Sequence, residues 1–160
     1  MKQAHVKAFY KTVYSTGMRL SEALHVQPRD IDGKRMMLHV RGGKGAKDRY
    51  VPLPEVTLVT LREYWKTHRN RDWVFPAIGR TGKTAGSAER PMGKSPIQAA
   101  LRRHLKRIKF RKPVTPHTFR HSYATHLLEA NVGIRELQEY MGQGHQLSSA
   151  CALYRAWWRH

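Results

Sequence analysis

The sequence is poor in acidic residues and in cysteine, and it has no long apolar run. Its 160 residues contain 11 Asp and Glu against 30 Lys and Arg, a formal net charge of +19. The single cysteine, Cys151, excludes an intramolecular disulfide and a metal site built from cysteines. No segment approaches the roughly 18 consecutive apolar residues that span a bilayer. Residues 1–16 interleave lysines with apolar residues, unlike a signal peptide. We therefore expect a cytoplasmic protein without a membrane partner.

The excess of positive charge indicates the kind of partner rather than the fold. So one-sided a charge destabilises a compact domain by self-repulsion unless something neutralises it. A polyanion is the expected partner, and nucleic acid is the polyanion of the expected compartment. The apolar fraction of 40% is enough for a core, and 160 residues suit one domain. We expect residues 1–160 to form that domain.

Hydrophobic periodicity predicts an α+β fold that is mostly helical. Helices are expected at residues 2–16, 20–26, 55–68, 96–108, 115–130 and 134–141, with a last one around Tyr154. Strands are expected at residues 36–40, 50–53 and 73–75, which would form a small antiparallel sheet of about three strands. Residues 76–95 are rich in Gly, Thr, Ser and Pro, so we expect an irregular and disordered connection there.

One segment, residues 115–154, carries most of the candidate chemistry. A helix should begin at Thr115 and Pro116, because threonine is a good N-cap and proline suits the first helical position. His117 and Arg120 then lie three apart on one face of the first turn, beside the positive end of the helix dipole. This is a favourable place for a phosphate. Because a candidate hydroxyl nucleophile, Tyr154, comes later in the segment, the pattern suggests attack on a phosphodiester.

Two further cations have candidate roles, each with an ordinary alternative. Arg19, between Gly17 and a predicted helix, would either pair with Glu22 at the surface or grip a phosphate with two parallel hydrogen bonds. Lys44 lies in a glycine-rich segment predicted to be a hairpin tip. It would be either a solvated charge or a mobile proton donor, and Lys47 is its rival on the same loop.

Two other patterns carry no prediction of a cofactor. His117 and His121 are four residues apart, with His126 nearby, but no Glu lies between the first two and no third ligand is evident. Residues 77–84 resemble a loosened nucleotide P-loop, yet the next residues are a poor helix start, so the phosphate-binding dipole would be missing. We expect neither a metal ion nor a bound cofactor.

Tyr154 is one of seven tyrosines and would be structural by default. A free phenol has a pKa of about 10, so a nucleophilic role requires a cationic cluster that stabilises the phenolate. Such a cluster also stabilises the charge that develops on phosphorus. Arg19, Arg120, His117 and His145 could supply it without a metal.

Taken together, these segments resemble the catalytic domain of the tyrosine recombinases, the phage-type and integron-type integrases. The resemblance extends from about residue 8 to 155, and the segments occur in the order and spacing of the family. The matching segments are Thr16-Gly-Met-Arg19-Leu-Ser-Glu22, Gly43-Lys44-Gly-Ala-Lys-Asp-Arg49 before Val-Pro-Leu, Pro116-His-Thr-Phe-Arg120-His-Ser-Tyr-Ala-Thr-His126, and His145 with Tyr154.

The resemblance implies the tyrosine-recombinase catalytic fold and a DNA strand transferase that uses a 3′-phosphotyrosine intermediate. Arg19 and Arg120 would clamp the scissile phosphate, and Tyr154 would attack it. Lys44 would protonate the leaving 5′-oxygen. Neither ATP nor a metal ion would be required, because the covalent link retains the phosphodiester energy.

The same resemblance implies roles for two histidines and a basic surface. His117 would assist proton transfer at the tyrosine, and His145 would hydrogen-bond a non-bridging oxygen. Family members usually have Leu-Gly-His at the second histidine, whereas this chain has Met141-Gly-Gln143-Gly-His145, so Gln143 is the alternative. Expected DNA contacts are Arg41, Lys47, Arg49, Arg102, Arg103 and Lys106.

We therefore expect a site-specific recombinase or integrase of a bacterial mobile element, active in DNA integration or transposition. Its partner would be double-stranded DNA, on which it would form a homotetramer, being a monomer when free. A separate N-terminal DNA-clamping domain is expected to be absent, and the tail after Tyr154 is short. Alternatives are type IB topoisomerase activity or a DNA-binding remnant that no longer cleaves.

Overall fold

The computed structural model describes residues 4–42, 48–79 and 85–142. Within these ranges the helices confirm the predicted ones to within a few residues at each end. None of the helices described is long and apolar enough to cross a membrane. The elements are α1 (Ala4–Thr16), α2 (Leu20–Leu24), β1 (Ile31–Asp32), β2 (Met37–Val40), β3 (Arg49–Pro52), α3 (Glu55–Lys66), α4 (Lys94–Arg107), α5 (Pro116–Glu129) and α6 (Ile134–Met141).

The sheet is antiparallel with strand order β1-β2-β3, and Leu38 of β2 lies opposite Val51 of β3. Three strands were expected, but the third one is Ile31–Asp32 and the prediction of a strand at residues 73–75 is wrong. Val74 and Phe75 are buried as a strand would be. Their backbone, however, hydrogen-bonds to the loop after α2 and to Met92: the Val74 N–H donates to the Val26 carbonyl at 3.0 Å, and the Phe75 carbonyl accepts from Met92 at 2.8 Å.

Helix α1 lies at the centre of the fold, packed against α3 and α5. Its apolar stripe includes Phe9 and Val13, which are fully buried. The Phe9 ring meets the rings of Tyr10 and Phe75 edge to face, with centroids 5.3 and 5.2 Å apart. The Tyr10 hydroxyl donates to the Ile97 carbonyl of α4 at 3.1 Å. One helix thus organises the core around which the remaining elements are placed.

The connection after α3 is held by one buried amide side chain. The Asn70 Nδ2 group donates to the carbonyls of Ala85, Gly86 and Ala88 at 2.9, 3.2 and 2.9 Å. Residues 76–95 were expected to form an irregular connection and to be the part of the chain most prone to disorder; residues 85–92 of it are instead held in place by this amide and by the Met92–Phe75 backbone bond. Residues 80–84 of the same connection lie outside the described residues.

Gly17 ends α1 and turns the chain toward α2. Its φ angle is +62°, and its N–H donates to the Val13 carbonyl at 3.0 Å, as in a left-handed helix cap. A Cβ atom at this position would lie 2.2 Å from Cδ1 of Tyr123 in α5. The glycine is therefore required twice, for the turn and for the close approach of α5.

We predict that Gly17→Ala destabilises the domain by about 2–4 kcal/mol, since a left-handed alanine and an overpacked ring each cost about 1–2 kcal/mol or more. Gly42→Ala is the matched control, because Gly42 also has a positive φ of +57° but no atom of the described residues lies within 4 Å of the place that a Cβ atom would take. Urea denaturation of both variants is the measurement. Equal losses of unfolding free energy would contradict the packing role of Gly17.

Candidate active site

Helix α5 begins as predicted and carries Arg120 into the interior. The Thr115 N–H donates to Oγ1 of Thr118 at 3.1 Å, and Pro116 is the first helical residue. Arg120 is only 5% exposed. Its guanidinium donates to the backbone carbonyls of Gly17 and Met141. This residue thus links α5 to the end of α1 and to the end of α6.

His117 does not share the surroundings of Arg120, although the two were expected beside each other in the first turn. His117 is exposed, whereas Arg120 is buried. Both residues lie on the same face of α5, but His117 belongs to the exposed first turn, whereas Arg120 lies one turn later and is buried along with Tyr123 and Ala124. The two residues remain electrostatically close to His121, whose pKa is lowered by burial and then by His117 and Arg120.

Arg19 pairs with Glu22, the ordinary alternative given above, and this pairing is compatible with binding a phosphate. Its Nη1 donates to Oε1 of Glu22 at 2.9 Å, and its backbone N–H donates to Oε2 of the same carboxylate at 2.7 Å. Its Nη2 lies 3.4 Å from the Gly142 carbonyl. The side chain nevertheless remains 24% exposed. Pairing with Glu22 therefore orients Arg19 without removing it from solvent.

Arg49 was expected to contact DNA at the surface, and the structure corrects this expectation. Its side chain is only 9% exposed. Its Nη1 and Nη2 donate to the two oxygens of Glu22 at 3.0 and 2.7 Å, and its Nε donates to the Tyr140 carbonyl at 2.9 Å. Because its Nε, Nη1 and Nη2 all point inward to these partners, Arg49 does not project into solvent as the expected surface contact would.

The three arginines meet at the C-terminal end of α6. The successive carbonyls of Tyr140, Met141 and Gly142 accept hydrogen bonds from Arg49, Arg120 and Arg19, respectively. The C-terminal end of a helix carries partial negative charge, so it stabilises cations placed there. Arg19 and Arg120, remote from each other in the sequence, thus converge on neighbouring backbone groups.

Glu22 is the acidic member of this cluster. Burial alone would raise its pKa, but the hydrogen bonds from Arg49 and Arg19 outweigh burial and lower the pKa of Glu22 to about 2. The pKa of Arg120 is lowered to about 10, first by burial and then by the neighbouring Arg19, so that Arg120 is still cationic at neutral pH. Three guanidinium groups and one carboxylate leave a net charge of +2 in the described part of the site.

The charge and the donors of this cluster fit an oxyanion. A guanidinium has five N–H donors in a fixed fork. Arg19 and Arg120 each use two side-chain nitrogens in the bonds above, so both retain N–H groups for a further acceptor. A phosphodiester is an anion that such paired guanidinium groups bind well.

Other predicted site residues lie outside the described residues. These are Lys44 and Lys47 on the glycine-rich loop, and Gln143, His145 and Tyr154 in the C-terminal segment. The predicted last helix around Tyr154 and the single cysteine, Cys151, lie there as well.

The predicted basic surface is exposed where the structure describes it. Arg102, Arg103 and Lys106 are exposed along α4. Arg41 is exposed too, with its Nε 2.6 Å from Oδ1 of Asp30. Their contact with DNA stays a prediction.

Within residues 4–42, 48–79 and 85–142, no group of three or more His, Cys, Asp or Glu side chains could hold a metal ion. His126 of the histidine pattern lies 3.2 Å from the Glu129 carboxylate instead.

Sequence reasoning missed how much of the site is built from backbone and from Glu22. Glu22 was considered only as a surface partner of Arg19, and the carbonyls of residues 17 and 140–142 were not considered. One signal was available. With 11 acidic residues in the whole chain, a glutamate three positions after Arg19 is conspicuous, since it can hold an N-terminal backbone N–H as in a capping box.

Fold and site together define a mostly helical α+β domain with a partly buried arginine cluster suited to a phosphate ester. The chain matches the phage integrase family over residues 1–157. It therefore belongs to the phage integrase family.

Curated relatives agree with this assignment. The chain is 43% identical over 137 residues to a putative integrase/recombinase, y4qK, of Sinorhizobium fredii, covering 84% of this chain and 41% of that protein. It is 36% identical over 141 residues to the tyrosine recombinase XerA of Thermococcus onnurineus, covering 87% of this chain and 47% of that protein. The chain thus spans about half the length, or less, of these relatives.

A solved structure shows the same fold. The Tn1549 transposon integrase in complex with circular intermediate DNA superimposes with a TM-score of 0.69 at 20% sequence identity, covering 99% of this chain and 54% of that one. The expected tyrosine-recombinase catalytic fold is confirmed.

We predict that Glu22→Gln lowers the free energy of unfolding by about 3–5 kcal/mol near neutral pH, since it leaves buried guanidinium groups uncompensated. Because the pKa of Glu22 is depressed, the stabilisation is present above the ordinary carboxyl pKa and is lost as the pH falls through about 2. As the pH falls from the ordinary carboxyl pKa to about 2, the wild type should therefore lose up to about 3 kcal/mol of its free energy of unfolding, the part that ionised Glu22 contributes. The difference in unfolding free energy between Glu22→Gln and the wild type should narrow over the same pH range.

Denaturant titrations at several pH values measure this difference. Glu129→Gln is the control, because that carboxylate is exposed and pairs only with His126 among the described contacts. A gap between Glu22→Gln and wild type that is the same at low and neutral pH would contradict the assignment of Glu22 as an ionised member of the cluster.

Proposed function

We propose that this chain is the catalytic part of a site-specific tyrosine recombinase or integrase, which cuts and rejoins DNA strands. The observation that carries the proposal is the convergence of Arg19 and Arg120 on neighbouring carbonyls at the end of α6, beside the Glu22 carboxylate that Arg19 and Arg49 share. Membership of the phage integrase family supports the same activity.

In the proposed reaction, one phosphodiester is exchanged for another. The Tyr154 oxygen attacks the scissile phosphorus and loses its proton, the new O–P bond forms, and the bond between phosphorus and the 5′-oxygen breaks. The 5′-oxygen takes up a proton and leaves as a free hydroxyl. A 5′-hydroxyl then attacks the phosphotyrosine link to restore a continuous strand. The number of ester bonds is unchanged, so the balance requires no additional energy source.

The arginines would stabilise the charge that develops during this exchange. Negative charge accumulates on the non-bridging oxygens in the transition state, and donors held in place beforehand stabilise it most. Arg19 is partly exposed and oriented by Glu22, so it can contact the incoming phosphate directly. Arg120, held by two backbone carbonyls, would donate its remaining N–H groups to the same phosphate. The net positive charge of the cluster compensates the single charge of a phosphodiester and the growing charge of the transition state.

The proton transfers are assigned by resemblance. Lys44 would protonate the 5′-oxygen, with Lys47 as the alternative on the same loop. His117, exposed at the start of α5, would assist the loss of the phenol proton. His145, or Gln143 in its place, would hydrogen-bond a non-bridging oxygen.

Double-stranded DNA is the proposed partner, and the basic surface of α4 supports it. We propose a homotetramer on DNA and a monomer when free, with residues 1–160 acting as one catalytic domain. A mobile element is the proposed source, in agreement with the transposon integrase of the same fold. A DNA substrate of this kind would place the protein in a bacterial cytoplasm.

The proposed chemistry predicts a covalent protein–DNA adduct. On a nicked suicide duplex, which loses its short 5′-hydroxyl fragment after cleavage, the wild type should accumulate an adduct that survives denaturing gel electrophoresis. Tyr154→Phe should form none, because it lacks the attacking oxygen. Tyr14→Phe, at an exposed tyrosine on α1, is the matched control and should react like wild type.

The competing outcomes of this experiment are distinct. An adduct with Tyr154→Phe, or none with wild type, would overturn the proposed function. DNA binding without an adduct would indicate the non-cleaving remnant. Plasmid relaxation without exchange between partner duplexes would indicate type IB topoisomerase activity.

The basic face of α4 predicts a second, separable effect. Replacing Arg102, Arg103 and Lys106 by Gln should weaken binding to DNA of any sequence, and the slope of log K against log salt should fall by about 3 if each side chain neutralises one phosphate. Lys34, Arg35 and Lys66, also exposed, form the control triple of equal charge. Fluorescence anisotropy at several salt concentrations measures both, and identical slopes for the two triples would refute the assignment of α4.

A further inference from the structure

Arg49 connects three parts of the fold that are remote in the sequence. It is the first residue of β3, and its guanidinium contacts Glu22 in α2 and Tyr140 in α6. The contacts span 27 residues in one direction and 91 in the other. Every nitrogen of the guanidinium is engaged, and the two Nη groups hold both oxygens of one carboxylate.

The geometry distinguishes Arg49 from its neighbours in the cluster. Arg19 is 24% exposed, whereas Arg49 is 9% exposed and donates from Nε, Nη1 and Nη2 to internal partners. All three guanidinium nitrogens of Arg49 are engaged by internal partners, whereas Arg120 uses only Nη1 and Nη2 in its bonds to backbone carbonyls. Arg49 acts on Arg19 through Glu22, because that carboxylate accepts hydrogen bonds from both guanidinium groups.

The C-terminal end of α6 packs closely against Arg49. Gly142 has a φ of +57°, and a Cβ atom there would lie 2.9 Å from Nη1 of Arg49. No side chain fits at this position unless the arginine moves. The same Gly142 supplies the carbonyl that faces Nη2 of Arg19 at 3.4 Å. Arg49 and Arg19 thus both contact the short turn of residues 140–142.

We propose that Arg49 is a positioning residue for strand cleavage. It holds the Glu22 carboxylate in place, and through this carboxylate it holds the Arg19 guanidinium beside the C-terminal carbonyls of α6. The inference rests on the proposed function, since it assigns a role within that site. It replaces the surface DNA contact expected from the sequence. The chain continues from Gly142 into the segment that carries Tyr154, so the turn that Arg49 holds comes 12 residues before the proposed nucleophile.

Only an arginine can make this connection. A guanidinium presents a planar fork that matches a carboxylate with two parallel bonds, while its Nε serves a third partner. A lysine keeps the charge but offers one ammonium at one point. Arg49→Lys therefore tests geometry at nearly constant charge.

The experiment measures adduct formation in single turnover on the nicked suicide duplex, with DNA affinity measured separately. Arg49→Lys should slow adduct formation by about 100-fold, the size of effect expected when a catalytic group is misplaced by about 1 Å. Affinity for the duplex should change by less than about threefold, since no direct contact is lost. Arg35→Lys is the matched control, at an exposed arginine before β2 whose carboxylate partner is 3.8 Å away, and it should react at the wild-type rate.

A pH profile of stability separates positioning from general weakening of the fold. Hydrogen bonds from Arg49 and Arg19 keep the pKa of Glu22 low against the effect of burial. With lysine at position 49 that pKa should rise, so the contribution of Glu22 to the free energy of unfolding should be lost at a higher pH than in wild type as the pH falls. A loss of stability that is the same at every pH would indicate only general weakening and would overturn the proposal.

Hydrogen exchange gives a readout that needs no activity. The Arg19 N–H donates to Glu22 Oε2, so in Arg49→Lys the exchange of residues 17–24 and 136–142 should accelerate while α1 and α3 stay protected. Unchanged exchange there, or a wild-type cleavage rate, refutes the role of Arg49. If wild-type protein forms no adduct, the proposed function fails, and the exchange result alone decides whether Arg49 holds this turn.

Discussion

The described site depends on one buried carboxylate that holds two guanidinium groups beside a third. Glu22 accepts hydrogen bonds from Arg19 and Arg49, and Arg120 is electrostatically coupled to the same cluster. Without an anion, like charges in a poorly solvated place would repel, and each would lack a partner for its desolvated N–H groups. With a single anion the cluster remains positive. The site is therefore both stable enough to form and charged enough to attract a second anion.

The fold brings this cluster together by ending helices at one place. Helix α1 ends just before Gly17, α2 starts just after Arg19, and α6 ends just before Gly142, with both glycines at positive φ. Helix ends expose backbone groups that no helical partner satisfies. Carbonyls from two of these ends receive the guanidinium N–H groups. Buried arginine charge and unpaired backbone acceptors thus satisfy each other, which is how so basic a site lies within a packed domain.

The positive charge of this protein is arranged in two separate ways. The cationic face of α4 and the exposed lysines and arginines elsewhere suit long-range attraction to DNA, which supplies affinity and register but little sequence discrimination. The arginine cluster instead suits hydrogen-bond contact with one phosphate. The scarcity of acidic residues favours long-range attraction to a polyanion. The arginine cluster, in contrast, requires the buried carboxylate of Glu22.

Local features were determined by the sequence alone: the periodicity of α1, the Thr115-Pro116 start of α5, the strands β2 and β3, and the motifs that single out Arg19 and Arg120 as candidate site residues. These depend on neighbours a few residues away, so a linear pattern contains them. The tertiary structure alone decided that Ile31–Asp32 completes the sheet, that Arg120 is buried while His117 is exposed, and that Arg49 faces Glu22 instead of solvent. Each of these depends on groups distant in the sequence, because burial and hydrogen-bond partners are set by what the folded chain places opposite a residue.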